Sequence, residues 1–91
     1  MAQVIIEMKV MPVSPDTDLT KLRHDVEKLI LEDGARVYQH KIEPVAFGLK
    51  ALILTIVADE EKGSTDVLEE KITALQHVES VQVTSVSRAL G

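Results

Sequence analysis

The chain has 91 residues, the length of one small domain, with 45% apolar and 27% charged residues, which is a globular balance and argues against a disordered or fibrous chain. Its net charge of -5 disfavours unspecific binding to nucleic acid or anionic lipid, and its lack of cysteine excludes disulfides and thiolate metal sites. It has no basic start leading into a long apolar run and no stretch near the ~18–20 apolar residues of a membrane span, so we expect a cytoplasmic protein.

The first half of the chain predicts a strand, a helix and a second strand. Apolar and polar residues alternate from Val4 to Val13, as in a strand covered mainly on one face. A helix is predicted from about Asp18, which can cap it, to Glu32, and Gly34 ends it. Its apolar residues recur at spacings of three and four: Leu19, Leu22, Val26, Leu29 and Ile30. The β-branched and aromatic content of Val37–Ile42 then favours an edge strand.

The middle of the chain predicts a loop, a buried strand and a solvated turn. Pro44–Gly48 reads as a loop because of its proline and glycine. Leu49–Ala58 is almost continuously apolar and β-branched, which is typical of a central strand. Asp59–Gly63 carries three acidic residues and a lysine, which indicates a turn exposed to water.

The last third predicts a helix and a strand. Ser64 or Thr65 can cap the helix, and its acidic first turn suits the positive end of the helix dipole. Its expected apolar stripe contains Val67, Leu68, Ile72 and Leu75. Val78–Val86 reads as a strand in which the apolar positions change from odd to even, which indicates a bulge, and residues 87–91 read as a tail.

The order strand, helix, strand, strand, helix, strand predicts an α+β fold, the ferredoxin-like βαββαβ sandwich, as one domain over residues 1–91. A four-stranded antiparallel sheet would then have both helices on one face. We expect the uncovered face to present apolar residues, Ile5 with Leu52 or Leu54, as a surface for a partner.

Most chemistries that this fold supports lack their residues here. RNA recognition needs exposed aromatic and basic side chains, and the chain has one Tyr, one Phe and a negative charge. His24, His40 and His77 show no metal-ligand spacing and are predicted to lie on the surface. The loop after the first strand is acidic and proline-rich, which does not suit an acylphosphatase-like anion cradle, and neither a catalytic triad order nor a glycine-rich phosphate loop is present. We therefore expect no catalytic centre, cofactor or metal, and a function based on docking to another protein.

Two places remain as candidates for that docking, the loop around Phe47 and the region of Arg88. A single Phe in a small protein usually lies in the core, and an Arg near a chain end is usually an ordinary surface cation. Phe47, however, stands next to Gly48 in a predicted loop, where an aromatic side chain can project and fill a partner's pocket.

At these places the chain resembles the archaeal elongation factor 1-beta family and the exchange domain of its eukaryotic counterparts. The resemblance covers the whole chain, and its most distinctive piece is the proline-to-leucine segment around Phe47. The segments that carry it are residues 9–12 through 18–19, Pro44-Val45-Ala46-Phe47-Gly48-Leu49-Lys50-Ala51-Leu52, residues 59–64, 78–83 and 88–90.

The resemblance implies a nucleotide exchange factor that binds the GTPase elongation factor 1-alpha, a monomer when free, and releases GDP from it. In that family a basic residue near the carboxy terminus reaches the magnesium and phosphate region of the partner, a role that falls here to Arg88. A loop aromatic occupies a pocket elsewhere on the GTPase domain, a role that falls to Phe47 with the adjacent Gly48. The eukaryotic relatives have a lysine close to the position of Arg88, and the planar guanidinium of arginine is not interchangeable with an ammonium group.

Two other functions stay open on the residues alone. Paired ferredoxin-like domains often bind small metabolites, so a ligand-sensing regulatory module is one alternative. A structural adaptor that binds a GTPase or a ribosomal protein without changing its nucleotide is the other.

Overall fold

The computed structural model describes residues 3–59 and 66–89. Four strands and two helices follow each other within these residues: β1 (Gln3–Pro12), α1 (Leu19–Glu32), β2 (Arg36–Pro44), β3 (Lys50–Asp59), α2 (Asp66–Thr73) and β4 (Val78–Ala89). The strands form one sheet in the order β2-β3-β1-β4, and every neighbouring pair is antiparallel. The predicted ferredoxin-like fold is therefore confirmed, with β2 at an edge and β3 in the centre.

The core lies between the two central strands and the helices. Met8 of β1 pairs with Leu54 of β3, and Val10 pairs with Leu52, and none of the four is exposed to solvent. The helices cover these side chains with the buried residues Leu22, Val26 and Ile30 of α1 and Leu68 and Ile72 of α2. All buried side chains in the described part of the chain are apolar.

The expectation about the uncovered face was wrong for two residues. Leu52 and Leu54 pack beneath the helices, whereas Ile5 does lie on the other face, opposite Val57. Pairing across the sheet places Ile53 between Lys9 and Lys41, so this face alternates apolar and charged side chains. The error has a physical cause: a central strand is apolar on both faces, so only its pairing with β1 decides which residues meet the helices.

Both ends of α1 follow from single residues. The Oδ1 atom of Asp18 accepts hydrogen bonds from the backbone N–H of Thr20, at 3.0 Å, and of Lys21, at 3.2 Å, as an N-cap does. At the other end Gly34 has a φ of 87°, and its N–H donates to the carbonyl of Leu31 at 3.0 Å.

The next residue along, Ala35, donates its N–H to the carbonyl of Ile30 at 3.1 Å, and both side chains are buried. The two bonds and the left-handed glycine form a Schellman motif, which satisfies the last carbonyls of the helix.

Other predicted boundaries change in the structure. β4 continues to Ala89, so Arg88 belongs to a strand and not to a tail. Two register shifts against β1 confirm the predicted irregularity of β4. Pro44 ends β2 instead of beginning the loop, and Val67 is 56% exposed, outside the apolar stripe of α2. The proposed caps Ser64 and Thr65, and residues 60–63 of the predicted turn, lie outside the described residues.

Substitution of Gly34 tests the end of α1. We expect Gly34→Ala to lower the free energy of unfolding by about 1–2 kcal/mol, because a Cβ is unfavourable in the left-handed conformation. Urea unfolding followed by circular dichroism measures the change. Gly34→Asn is the matched control and should lose clearly less, because asparagine tolerates this conformation. Equal stability of Gly34→Ala and the unchanged protein would contradict the assignment.

Candidate partner-docking site

A tight turn between β2 and β3 holds the first candidate residue. The N–H of Val45 donates to the carbonyl of Leu49 at 2.8 Å, and the N–H of Leu49 donates to the carbonyl of Ala46 at 3.3 Å. Phe47 has φ 63° and ψ 30°, and Gly48 has φ 75°. These values, with the bond between Ala46 and Leu49, are those of a type I′ hairpin turn.

Phe47 is an unusual residue for its position in this turn. The first central position of a type I′ turn favours Asn, Asp or Gly, and a side chain with a bulky Cβ substituent is strained there. Among the described residues, Phe47 is the one non-glycine with a positive φ. Strain of this kind persists where the surroundings or a function maintain it. The turn therefore uses an unfavourable conformation to present an aromatic ring.

The Phe47 side chain is 94% exposed, so the prediction that it projects from the loop is confirmed. Two further apolar side chains are exposed at the same end of the sheet, Val13 at 48% and Ile42 at 50%. Sequence analysis missed both, although Val13 lies just beyond Pro12, where the alternation of β1 stops. Gly48 has a conformational role, since a Cβ there would meet nothing within 4 Å and only its positive φ favours glycine.

Arg88 is held by regular pairing near the end of β4. It lies opposite Val4 of β1, between the pairs Ser87–Ile5 and Ala89–Gln3, and it is exposed. The sheet fixes the backbone position of Arg88, so the Cβ atom of its side chain has a fixed position relative to the core. A cation on a strand loses less conformational freedom on binding than one on a free tail.

The two candidates lie at opposite ends of the sheet and towards opposite edges of it, because the Phe47 turn joins β2 to β3 and Arg88 is on β4. The Phe47 turn adjoins Pro44 and Lys50, at the end where β1 finishes and β4 begins. Arg88 lies at the other end. β1 has ten residues, which at ~3.3 Å each corresponds to about 30 Å between these ends. The structure does not bring Phe47 and Arg88 together, so one small ligand does not reach both.

The remaining polar groups form no converging cluster within residues 3–59 and 66–89. His24, His40 and His77 are all exposed, as predicted, and lie on α1, on β2 and before β4. The Nε2 atom of His24 is 3.5 Å from the Arg23 guanidinium. In this part of the chain no three His, Cys, Asp or Glu residues are grouped to hold a metal ion.

Two shallow surface depressions within residues 3–59 and 66–89 are lined by neither Phe47 nor Arg88. One lies on the acidic side of α2, along Asp66, Glu69 and Glu70. Another lies between the loop after β1 and the turn before β4, which are joined by the Val13 N–H donating to the His77 carbonyl at 3.0 Å. Neither described helix has the length and apolar character needed to cross a bilayer.

Solved structures of other proteins share the fold at low sequence identity. The C-terminal domain of the MgtC protein from Mycobacterium tuberculosis is 10% identical, with a TM-score of 0.62, and the match covers 96% of this chain and 87% of that one. A homoserine dehydrogenase from Thiobacillus denitrificans is 16% identical, with a TM-score of 0.59, over 94% of this chain and 17% of that one. At such identities the likeness concerns the fold alone.

Similarity in sequence is much higher to a group of archaeal proteins. Elongation factor 1-beta of Methanococcoides burtonii is 46% identical over 97% of this chain and 98% of its own length. The proteins of the same name from Halobacterium salinarum and Methanothermobacter thermautotrophicus are 42% and 37% identical, over 97% and 99% of this chain and 99% and 100% of theirs. The family model of the EF-1 guanine nucleotide exchange domain matches residues 5–89, and the chain therefore belongs to the elongation factor 1-beta family of nucleotide exchange proteins.

Proposed function

We propose that this chain works as a single domain in the cytosol, where it promotes the exchange of GDP for GTP on elongation factor 1-alpha. The observation that carries the proposal is the match of residues 5–89 to the EF-1 guanine nucleotide exchange domain. The exposed Phe47 and Arg88 support it, because they offer surface anchors. Nucleotide and magnesium are bound by the partner, and the chain catalyses no chemical step of its own.

Arg88 is proposed to act at the magnesium and phosphate site of the partner. Magnesium there would bridge the nucleotide phosphates to carboxylate-rich surroundings. A guanidinium brought close to these groups competes for the same oxygens and weakens the hold on the metal. Because Arg88 is positioned by the β4–β1 pairing, docking of the domain brings the charge to this site without ordering a tail.

Phe47 is proposed to anchor the other end of the domain in an apolar pocket of the GTPase domain. A nearly fully exposed aromatic ring is costly to leave in water and contributes strongly when a pocket buries it. Gly48 maintains the turn that presents the ring. The exposed Val13 and Ile42 at the same end can extend the apolar contact around this anchor.

The energetic requirement is moderate. A thousandfold faster release of GDP requires a barrier lower by about 4 kcal/mol. One or two desolvated anchor residues in an ordinary interface contribute this much. The free energy comes from contacts that form with the partner, so the small domain needs no pocket for the nucleotide.

Release of a fluorescent GDP from purified archaeal elongation factor 1-alpha, at fixed magnesium, tests the proposal. We expect the unchanged protein to accelerate release. Arg88→Ala should lower the rate at saturating factor by at least about tenfold, because the charge acts on the metal site. Phe47→Ala should instead raise the concentration needed for half the maximal rate by about tenfold, because the ring acts in binding.

The chain offers a matched control for each variant. Arg36 is an exposed arginine at the same end of the sheet as Arg88 but on β2, and Arg36→Ala should change little. Tyr38 is 74% exposed and is the other aromatic residue of the chain, so Tyr38→Ala controls for Phe47. Confirmed binding without faster release would favour the adaptor function. A full rate with Arg88→Ala would contradict the role of the cation and leave the family unaffected.

The strain in the turn leads to a separate prediction. We expect Phe47→Asn to raise the free energy of unfolding by about 1 kcal/mol, because Asn followed by Gly is favoured in a type I′ turn. The same variant should bind the partner more weakly, since the ring is lost. Urea unfolding and a titration with elongation factor 1-alpha measure the two effects. Phe47→Ala should lose binding without the gain in stability, and a destabilised Phe47→Asn would disprove the strain.

A further inference from the structure

Val86 is an exposed apolar side chain beside Arg88. Within the described side chains of β4 it is the one large apolar group that is exposed, at 61%. It lies opposite Ile6 of β1, and Arg88 lies opposite Val4. Ile6 belongs to the core and Val4 packs against it, so Val86 and Arg88 stand on the side of the sheet that carries the helices. Two residues along a strand are about 6.6 Å apart, which makes these two side chains neighbours.

The helices do not cover this part of β4. Val81 and Val83 lie earlier on the same side of the strand and are partly buried against the core. Beyond them, Val86 and Arg88 are both exposed. The end of β4 therefore presents an apolar group and a cation side by side, on a strand whose backbone is held by β1.

A bulge turns both residues to the helix side. Val83 and Ser85 lie opposite neighbouring residues of β1, so Thr84 between them is an extra residue. If Thr84 took a place in the pairing, Val86 would lie opposite Ile5, on the uncovered face. The face that carries the valine and the cation is thus determined by one inserted residue.

The Thr84 side chain contributes to holding this bulge. Its hydroxyl donates to the Glu7 carboxylate at 2.9 Å and lies 3.3 Å from the Glu7 carbonyl oxygen. Bulges are common beside functional sites, where they redirect side chains. The bulge in β4 has this effect on Val86 and Arg88.

We propose that Val86 and Arg88 form one contact surface, which the helix side of β4 presents to elongation factor 1-alpha. Val86 packs there against an apolar side chain at the border of the magnesium and phosphate site. The inference rests on the proposed exchange function and deepens it, because it names the face of the sheet that docks at this end of the domain.

The composition of the surface fits this place on the partner. A guanidinium attracts phosphate and carboxylate oxygens, and the attraction is stronger where water is excluded. An apolar contact next to a charged anchor excludes water from it. Val86 therefore contributes in two ways, through its own burial and through the strength of the interactions that Arg88 makes.

Isothermal titration of elongation factor 1-alpha with the intact chain, at fixed magnesium, tests the contact. Val86→Thr replaces one methyl group by a hydroxyl and keeps the branched shape that suits a strand. We expect it to weaken binding about fivefold, because the buried apolar area is lost. Val57→Thr is the matched control, since it makes the same change on the uncovered face, opposite Ile5, and should have little effect.

Release of a fluorescent GDP tests whether the two residues act together. Val86→Thr should also lower the rate at saturating factor about threefold, because water then reaches the cation. With Arg88→Ala present, Val86→Thr should lower this rate no further, since groups that share a contact are not additive. An equal loss in both backgrounds would contradict a shared surface.

The titration separates failure of this contact from failure of the exchange function. A Val86→Thr variant that binds as tightly as the unchanged chain would overturn the contact. So would a larger loss with Val57→Thr, which would make the uncovered face the docking face. Binding without faster GDP release would refute the exchange function alone, and the two variants would still decide the contact. An unchanged chain that does not bind would overturn both.

Discussion

The pairing of β1 with β3 is the constraint on which the rest of the structure depends. Because side chains alternate along a strand, the register that sets Met8 opposite Leu54 also decides which face of each strand meets the helices. The core residues on that face are Ile6, Met8 and Val10 of β1 and Leu52, Leu54 and Ile56 of β3. A shift of one residue would bring Lys9 and Glu7 into the core. The two outer pairings, β2 with β3 and β4 with β1, then place the Phe47 turn and Arg88 relative to this core.

Sequence patterns were sufficient for the fold because each element has its own signal. The alternation in β1, the stripe of α1 and Asp18 at its start all act over a few residues, and the structure retains them. The face of β3 could not be predicted in this way. Leu52, Ile53 and Leu54 are all apolar and all buried, so the direction of each depends on neighbours distant in sequence.

For the candidate site, the sequence predicts the loop around Phe47 but neither the backbone conformation of Phe47 nor the strand that contains Arg88. Glycine and proline around Phe47 indicate a loop, but the left-handed conformation of Phe47 itself has no sequence signal, since phenylalanine is disfavoured in it. Arg88 was expected in a tail because the apolar alternation of β4 stops at Val86. Its strand pairing comes from β1, whose residues Gln3 and Val4 extend the ladder beyond that point. In both cases the missing information lies in a partner strand and not in the local sequence.

The separation of Phe47 and Arg88 has a consequence for the orientation of the domain in the proposed complex. The molecule is 41 Å long and about half as wide, and its long axis is made of continuous strands. With contacts about 30 Å apart, a displacement of about 1 Å at one of them tilts the body by only about 2°. Two adjacent contacts would allow several times that angle. An elongated sheet therefore gives a chain of 91 residues an angular accuracy that a rounder domain of the same mass would not have.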